Sequence, residues 1–410
     1  MNEFVLTPEI MKANNPGLSD FGSGNIIALT SQCLRCTKKP TPCTICAEFC
    51  PAGSLTAQAA GRPQIALSCL KCGACIGTCP TNALAAATRT LQQITRLALQ
   101  ATLRVEHLAL GCERTGALLR LESKTSEPEA AQETLKLIDK ASASEHLLKV
   151  PCLGMLTKEM WFAFLNEIGV SKLEELSVFL PLEQCAECPV NAKDNIEEQL
   201  SEAIDHAERW TGLSVGIITQ ASELPQLRQA NVRSYLTSGT EVDRRGAFTG
   251  FFQEVKQSWD DNTKVGNRAI EEVQRQRARK QSFERTRLAA EQKKTRPVGR
   301  RPVETPARRI LVEALGRNSA HASEVRVTVS TTDEGLCTLC GTCIEVCPVK
   351  ARSFTEGEGE GAAKALLVEE LYCVGCSACL QSCPTEACSF AEIDGTSFLL
   401  DEVDEVLSES

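Results

Sequence analysis

Cysteine thiolates at short fixed spacings are the residues of this chain that could do chemistry. Cys69 to Ala83 reads CLKCGACIGTCPTNA: four cysteines separated by two, two and three residues, the last followed by proline. The run returns as CTLCGTCIEVCPVKA from Cys337 and as CVGCSACLQSCPTEA from Cys373. A looser copy, CLRCTKKPTPCTICAEFCPAG, begins at Cys33. Thiolates are soft metal ligands. Three of them spaced by two residues can wrap a tight loop around one inorganic centre, with the backbone N–H groups of the loop turned toward its negative charge. Small residues at Gly73, Ala74 and Gly77 let the backbone come close. Proline after the fourth cysteine fixes φ and turns the chain away.

The 22 cysteines stand against 4 His and 4 Met in 410 residues. Disulfide frameworks belong to short secreted chains. The opening MNEFVLTPEIMKANNPG has no basic region leading into an apolar one, so no signal peptide is expected. No apolar run reaches the length of a membrane span. The expectation is a reduced, cytoplasmic chain whose thiolates hold metal. Hydrophobic content of 42% and charged content of 24% are ordinary for a globular protein, and 410 residues suffice for two or three domains. The net charge of −9 is uneven: residues 262–318 hold 16 Lys and Arg against 6 Asp and Glu, a basic segment interrupting an acidic body.

The regular runs match the bacterial ferredoxin ligand pattern C-x2-C-x2-C-x3-C-P. The chain resembles two-cluster ferredoxins at both ends, over about residues 25–90 and 330–400. In that family three cysteines of a run serve one 4Fe–4S cluster and the fourth serves its neighbour. The resemblance implies four such clusters. Cys337, Cys340 and Cys343 would join Cys383, and Cys373, Cys376 and Cys379 would join Cys347. Cys69, Cys72 and Cys75 would join Cys50. The first run has five cysteines where four are needed: Cys33, Cys36, Cys43, Cys46 and Cys50. Aligned on Cys50–Pro51, the regular first position falls on Pro40. Cys33, Cys36 and Cys46 with Cys79 are the favoured set, leaving Cys43 beside it; the alternative puts Cys43 in place of one of them. Zinc also accepts four thiolates, but repetition of this spacing favours iron–sulfur. Cys388 has no partner run and is expected as a small buried hydrophobe.

Between the two ends, apolar stretches alternate with helical ones. RVEHLALGC, HLLKVPC, LEELSVFLPLEQC and LSVGIIT are predicted strands; EPEAAQETLKLIDKA, TKEMWFAFLNEIG and NAKDNIEEQLSEAIDHAERWTG are predicted helices, with Thr157 as an N-cap. The alternation predicts a central parallel α/β sheet over residues 100–220, between two α+β ferredoxin-like dicluster domains. Cys112, Cys152 and Cys185 then fall at carboxyl ends of strands, the edge where open α/β sheets bind ligands. Cys188 completes CAEC, and four thiols could converge on a fifth site. The text GCER, PCLG and CAEC is similar to the small iron–sulfur subunit of the methyl-viologen-reducing hydrogenase family. That likeness implies a 2Fe–2S cluster held by Cys112, Cys152, Cys185 and Cys188, with zinc as the alternative.

Residues 240–325 read as a basic helical and extended linker, with TRPVGRRPVETPARR as weakly packed chain. RRGAFTGFF reads as a short docking helix, and GEGEGA at 357–362 as a flexible turn. Aromatic residues are nearly absent from the basic stretch, which argues against nucleic acid as its partner. No dinucleotide fingerprint, P-loop, haem attachment motif or nucleophile elbow is present, and the histidines stand outside any metal spacing. The expectation is a multi-cluster iron–sulfur protein that relays single electrons as subunit or partner of an anaerobic oxidoreductase, of hydrogenase, molybdenum or flavin dehydrogenase type. Two other classes compete: a reductase with its own site at the central cysteines, and a scaffold with structural clusters.

Overall fold

The computed structural model describes residues 26–37, 42–57, 61, 63–86, 90–116, 119, 128–181, 185, 188–191, 195–224, 302–354 and 365–399. All of them belong to one compact unit. The expected docking helix, the first part of the expected linker and the GEGEGA turn lie outside the described residues.

The first segment runs β1 (Ile26–Ala28), α1 (Ile45–Glu48), β2 (Leu55–Thr56), β3 (Gln64–Ile65), α2 (Ala74–Gly77) and β4 (Leu84–Ala86). Its outer strands β1 and β4 pair antiparallel, Ile26 opposite Ala86, and its inner strands β2 and β3 form a second antiparallel pair. Each one-turn helix carries a cysteine run, so the two pairs of short strands clamp the runs between them.

A four-stranded parallel sheet follows. Thr90 caps α3 (Leu91–Thr102) through a capping box with Gln93. Then come β5 (His107–Cys112), α4 (Pro128–Ala143), β6 (Leu147–Val150), α5 (Lys158–Leu165), β7 (Glu175–Phe179), α6 (Asn195–Thr211) and β8 (Gly216–Ile218). The order is β6-β5-β7-β8, all parallel. Successive residues of β5 face opposite sides. Leu108 and Leu110 join the core that holds α5 and α6; Ala109 joins Ile138 and Ala141 of α4. The strand order reverses between β5 and β7, the switch point where such sheets open a crevice. The segment MWFAFL of α5 is fully buried, as a helix apolar on every side must be. Thr157 stands at its N-cap, but the side chain makes no capping bond.

Strand β7 ends at Phe179 and does not reach Cys185, as LEELSVFLPLEQC had suggested. Pro181 has no N–H to give a ladder, and apolar character alone had overextended the strand.

The end of the expected linker is no loose chain. Thr305 caps α7 (Pro306–Arg317), accepting from the Arg308 N–H, with proline in the first turn. Ile310, Leu311, Ala314 and Leu315 bury one face. Asn166 Nδ2 donates to the carbonyls of Ala314 (3.1 Å) and Asn318 (2.9 Å), and Arg317 pairs with Glu167 at 2.7 Å. At the other end, the Ala307 N–H donates to Asn82 Oδ1 (3.1 Å) and Arg308 Nη2 to the Cys373 carbonyl (2.6 Å). The helix therefore splints three segments together.

The last segment repeats the first: β9 (Arg326–Thr332), α8 (Thr342–Val346), β10 (Arg352–Phe354), β11 (Leu366–Val368), α9 (Ala378–Ser382) and β12 (Cys388–Asp394). Outer strands β9 and β12 pair antiparallel over seven residues, and inner strands β10 and β11 pair likewise.

Asn166→Ala removes the two hydrogen bonds that its amide gives to the end of α7 and should lower unfolding free energy by about 1–3 kcal/mol. Urea denaturation of the metal-loaded chain measures it. A loss under about 0.5 kcal/mol, the range of ordinary surface substitutions, would remove α7 from its role as a splint.

Candidate metal centres

One backbone device builds the three regular runs. The residues before and after the middle cysteine both take left-handed φ: Lys71 and Gly73 (55° and 83°), Leu339 and Gly341 (55° and 75°), Gly375 and Ser377 (62° and 64°). The third residue after each Cys-Pro cysteine does the same: Gly53 (59°), Asn82 (47°), Lys350 (57°) and Glu386 (54°). Left-handed backbone costs a residue with a Cβ about 1–2 kcal/mol. Lys71, Leu339, Ser377, Asn82, Lys350 and Glu386 accept that cost, so their surroundings over-determine the turn. The turns aim successive N–H groups at sulfur. Lys71 N–H lies 3.4 Å from Cys69 Sγ, Ala83 N–H 3.2 Å from Cys79 Sγ, and Ala351 N–H 3.3 Å from Cys347 Sγ.

Each Cys-Pro cysteine stands among the thiols of the partner run. Cys50 lines one cavity with Cys69, Cys72 and Cys75. Cys79 lines another with Cys33, Cys43 and Cys46. Cys36 is not among the residues lining that cavity; it stands beside Cys33. Burial pushes the Cys46 thiol up to about 12, with Cys79, Cys43 and Cys33 adding to the rise. In the last segment burial pushes Cys376 up to about 12 and Cys347 up to about 11. The charge of Cys347 adds to the rise at Cys376, and that of Cys373 to the rise at Cys347. Cys383 acts on Cys340, and Cys337 on Cys343. At Cys383 itself the upward effect of burial is outweighed by the N–H and hydroxyl of Thr385 and the N–H groups of Ala387 and Cys388, which bring it down to about 7. Cys388 is buried as expected, but among ligand-type sulfurs: it packs with Cys343 and Cys379, and burial holds it up at about 12.

At the central sheet Cys112 ends β5 and Cys152 follows β6. A hydrogen bond from Cys152 lowers the Cys112 pKa against the effect of burial, helped by the backbone and guanidinium of Arg114. The same bond raises the buried Cys152 thiol. Burial, then Cys112 and Cys188, push Cys185 up to about 11. The four predicted thiols of the centre thus share one edge of the sheet. The site packs against the second run: Cys72, Ala74, Cys152, Val190 and Ile196 share one buried cluster, bordered by Cys112 and Cys188. Two glycines allow this. A Cβ at Gly73 would lie 3.0 Å from Met155 Cβ, and one at Gly77 2.7 Å from the Gly154 carbonyl.

Two observations test which metal these sulfurs fit. Four sulfurs 2.3 Å from one zinc ion lie about 3.8 Å apart. Among the described residues no three thiols have their sulfurs mutually within 4.8 Å; that spacing is met only by Glu106, His107 and Glu174 on the surface. A multi-iron cluster accepts thiols spaced more widely than a single ion does. The second observation is charge. Arg35, Arg308 and Arg352 are buried beside the thiols, and Arg35 Nε, Arg308 Nη1 and Arg352 Nε lack partners. Arg352 forms no ion pair with a carboxylate among the described residues; burial would lower its pKa, but the thiolates of Cys379, Cys388, Cys343 and Cys373 hold it up. A buried guanidinium needs a counter-charge, and an anionic thiolate-ligated cluster supplies one. The residues fit iron–sulfur centres.

The arginines were missed by sequence reading, although Arg35 and Arg352 sit close in sequence to Cys33 and Cys347. The histidines make other contacts: His107 Nδ1 lies 3.0 Å from Glu175, and His146 Nδ1 lies 2.8 Å from the His107 carbonyl.

The family described as a 4Fe-4S dicluster domain matches residues 336–387, which include both runs of the last segment. That stretch is a ferredoxin-type domain and supports at least one 4Fe–4S cluster. No curated protein and no solved structure matches the chain. Among the described residues no helix is long and apolar enough to cross a membrane.

Gly77→Ala should cost more stability than Gly53→Ala. At Gly53 a Cβ meets nothing within 4 Å and only the left-handed φ of 59° is strained, about 1–2 kcal/mol. At Gly77 the added methyl strikes backbone and pushes the second run off the PCLG loop. Urea midpoints of the two loaded variants decide it, and equal losses would contradict close packing there.

Proposed function

We propose that this chain is an iron–sulfur electron carrier with four 4Fe–4S clusters and a fifth, 2Fe–2S, centre at the sheet edge. The observation that carries it is the exchange of Cys-Pro cysteines: Cys50, Cys79, Cys347 and Cys383 each stand with the partner run's thiols. That is the arrangement in which two clusters share a pair of runs. The ligand sets would be Cys50, Cys69, Cys72 and Cys75; Cys337, Cys340, Cys343 and Cys383; and Cys347, Cys373, Cys376 and Cys379. For the remaining set the cavity favours Cys33, Cys43, Cys46 and Cys79. Cys43 thus takes the place that sequence spacing gave to Cys36. Cys112, Cys152, Cys185 and Cys188 would hold the fifth centre.

When bound, such clusters accept and release one electron each. The protein tunes them: N–H groups aimed at sulfur and buried arginines stabilise the more negative, reduced state. The many sites and the lack of a recognised substrate motif support a carrier in an oxidoreductase complex of hydrogenase, molybdenum or flavin dehydrogenase type.

Anaerobically purified chain should hold about sixteen irons in cubane clusters, four per set, and about two more at the sheet edge. Cys347→Ala should remove about four irons and the signal of the Cys373 set while sparing the Cys337 set. Cys43→Ala should remove about four more from the first set, and Cys36→Ala none. Stoichiometric zinc in place of iron would end this reading.

A further inference from the structure

Each cysteine set shares a buried contact with another, and the contacts follow one order. At one end, Cys152 of the sheet-edge set packs with Cys72 and senses its charge. Gln199 Nε2 closes this joint, donating to the Gly154 carbonyl at 2.6 Å and the Ala74 carbonyl at 3.4 Å. The Arg114 guanidinium donates across it to the Leu70 carbonyl. Next, Cys46, Cys50 and Cys75 lie in one buried cluster, which joins the Cys50 set to the Cys33 set. At the far end, Cys343 and Cys379 pack together, joining the Cys347 set to the Cys337 set. There Cys340 is exposed.

The joint in the middle is not expected from either ferredoxin-like segment alone. Leu34, Val346 and Ala378 form a buried cluster, with Cys43 and Cys376 packed against it. Leu34 adjoins Cys33, Val346 precedes Cys347, and Ala378 lies between Cys376 and Cys379. Arg35 Nη1 donates to the Cys43 carbonyl at 2.7 Å and fixes that residue at the seam. The splint α7 crosses the same seam, bound to Asn82 on one side and Cys373 on the other.

We infer that the five sets form one unbranched series: sheet edge, Cys50 set, Cys33 set, Cys347 set, Cys337 set, with Cys43 and Cys376 as the joint between the halves. This rests on the iron–sulfur reading above. An electron given by a one-electron reductant at one end would oxidise that donor by one equivalent and leave at the other end to a one-electron acceptor. The two ends are thus the sheet edge and the exposed Cys340 face, and each would meet a different redox partner.

The test is paramagnetic resonance of the anaerobically loaded full chain, reduced stepwise with dithionite. In the unaltered protein the signals of the Cys33 and Cys347 sets should be split by each other. Cys33→Ala with Cys46→Ala, which empties the first set, should remove from the Cys347 and Cys50 signals the part of the splitting due to the Cys33 set and leave the part due to their other neighbours. The Cys337 signal should keep its splitting from the Cys347 set. If the Cys347 signal is as split in the variant as in the parent, the joint does not exist. If that variant fails to fold, dipolar coupling in the unaltered protein decides: no coupling between the Cys33 and Cys347 sets overturns the series. Absence of cubane iron altogether would instead overturn the carrier reading, so the two failures are told apart by iron content.

Discussion

The thiol handed from one loop to the next is the contact on which the rest of the molecule depends. A CxxCxxC loop supplies three sulfurs, and its geometry leaves the fourth corner to another strand of chain. The Cys-Pro step meets that need: proline turns the chain out of the loop, and a left-handed residue three positions after the cysteine turns it back. Because each Cys-Pro thiol stands with the other run, neither run of a pair can be arranged alone. The short strands β1 with β4, and β9 with β12, bring the two runs of each segment together.

Collected thiols repel one another once ionised, and burial disfavours their charge as well. Burial, with the charge of neighbouring sulfurs added, drives Cys46 and Cys376 to about 12. Metal reverses the balance, since ligation requires the deprotonated form and supplies the positive charge that the buried sulfurs lack. The buried arginines belong to the same account. Arg352 gives hydrogen bonds to Thr332 Oγ1 at 2.7 Å and Ser330 Oγ at 2.9 Å, which hold its charge beside Cys343 and Cys379. Arg308 lies 4.7 Å over the Phe398 ring, a placement that shields it from water while its Nη2 reaches the Cys373 carbonyl.

Local chemistry was legible in the sequence, and long-range packing was not. Ligand spacing is set by a few covalent links, so the runs from Cys69, Cys337 and Cys373 declare their loops directly. Strands β5, β6 and β8 were readable from short apolar blocks, but β7 was drawn too long because PLEQC continues the apolar text past a proline. The choice between Cys36 and Cys43 turns on which sulfur faces the cavity, which spacing cannot report. Helix α7 was hidden by its basic residues. Its buried stripe of Ile310, Leu311, Ala314 and Leu315 was visible at helical spacing, as was the Thr305–Pro306 start. What no pattern in the text reveals is that Arg308 points inward: a basic residue normally marks a solvated face, and here it is buried against a ligand loop.

Helix α7 explains how the first and last cysteine-bearing segments, far apart in sequence, are held together in space. Helix α7 fixes their relative geometry. Its first turn binds Asn82, which occupies the left-handed turn after Cys79, and the Cys373 carbonyl. Its C-terminal end is locked to the end of α5 by the reciprocal Asn166–Asn318 pair. The helix therefore anchors to ligand-bearing turns rather than to the periphery of each segment. A shift of the helix would displace the backbone at Cys373 and the turn after Cys79.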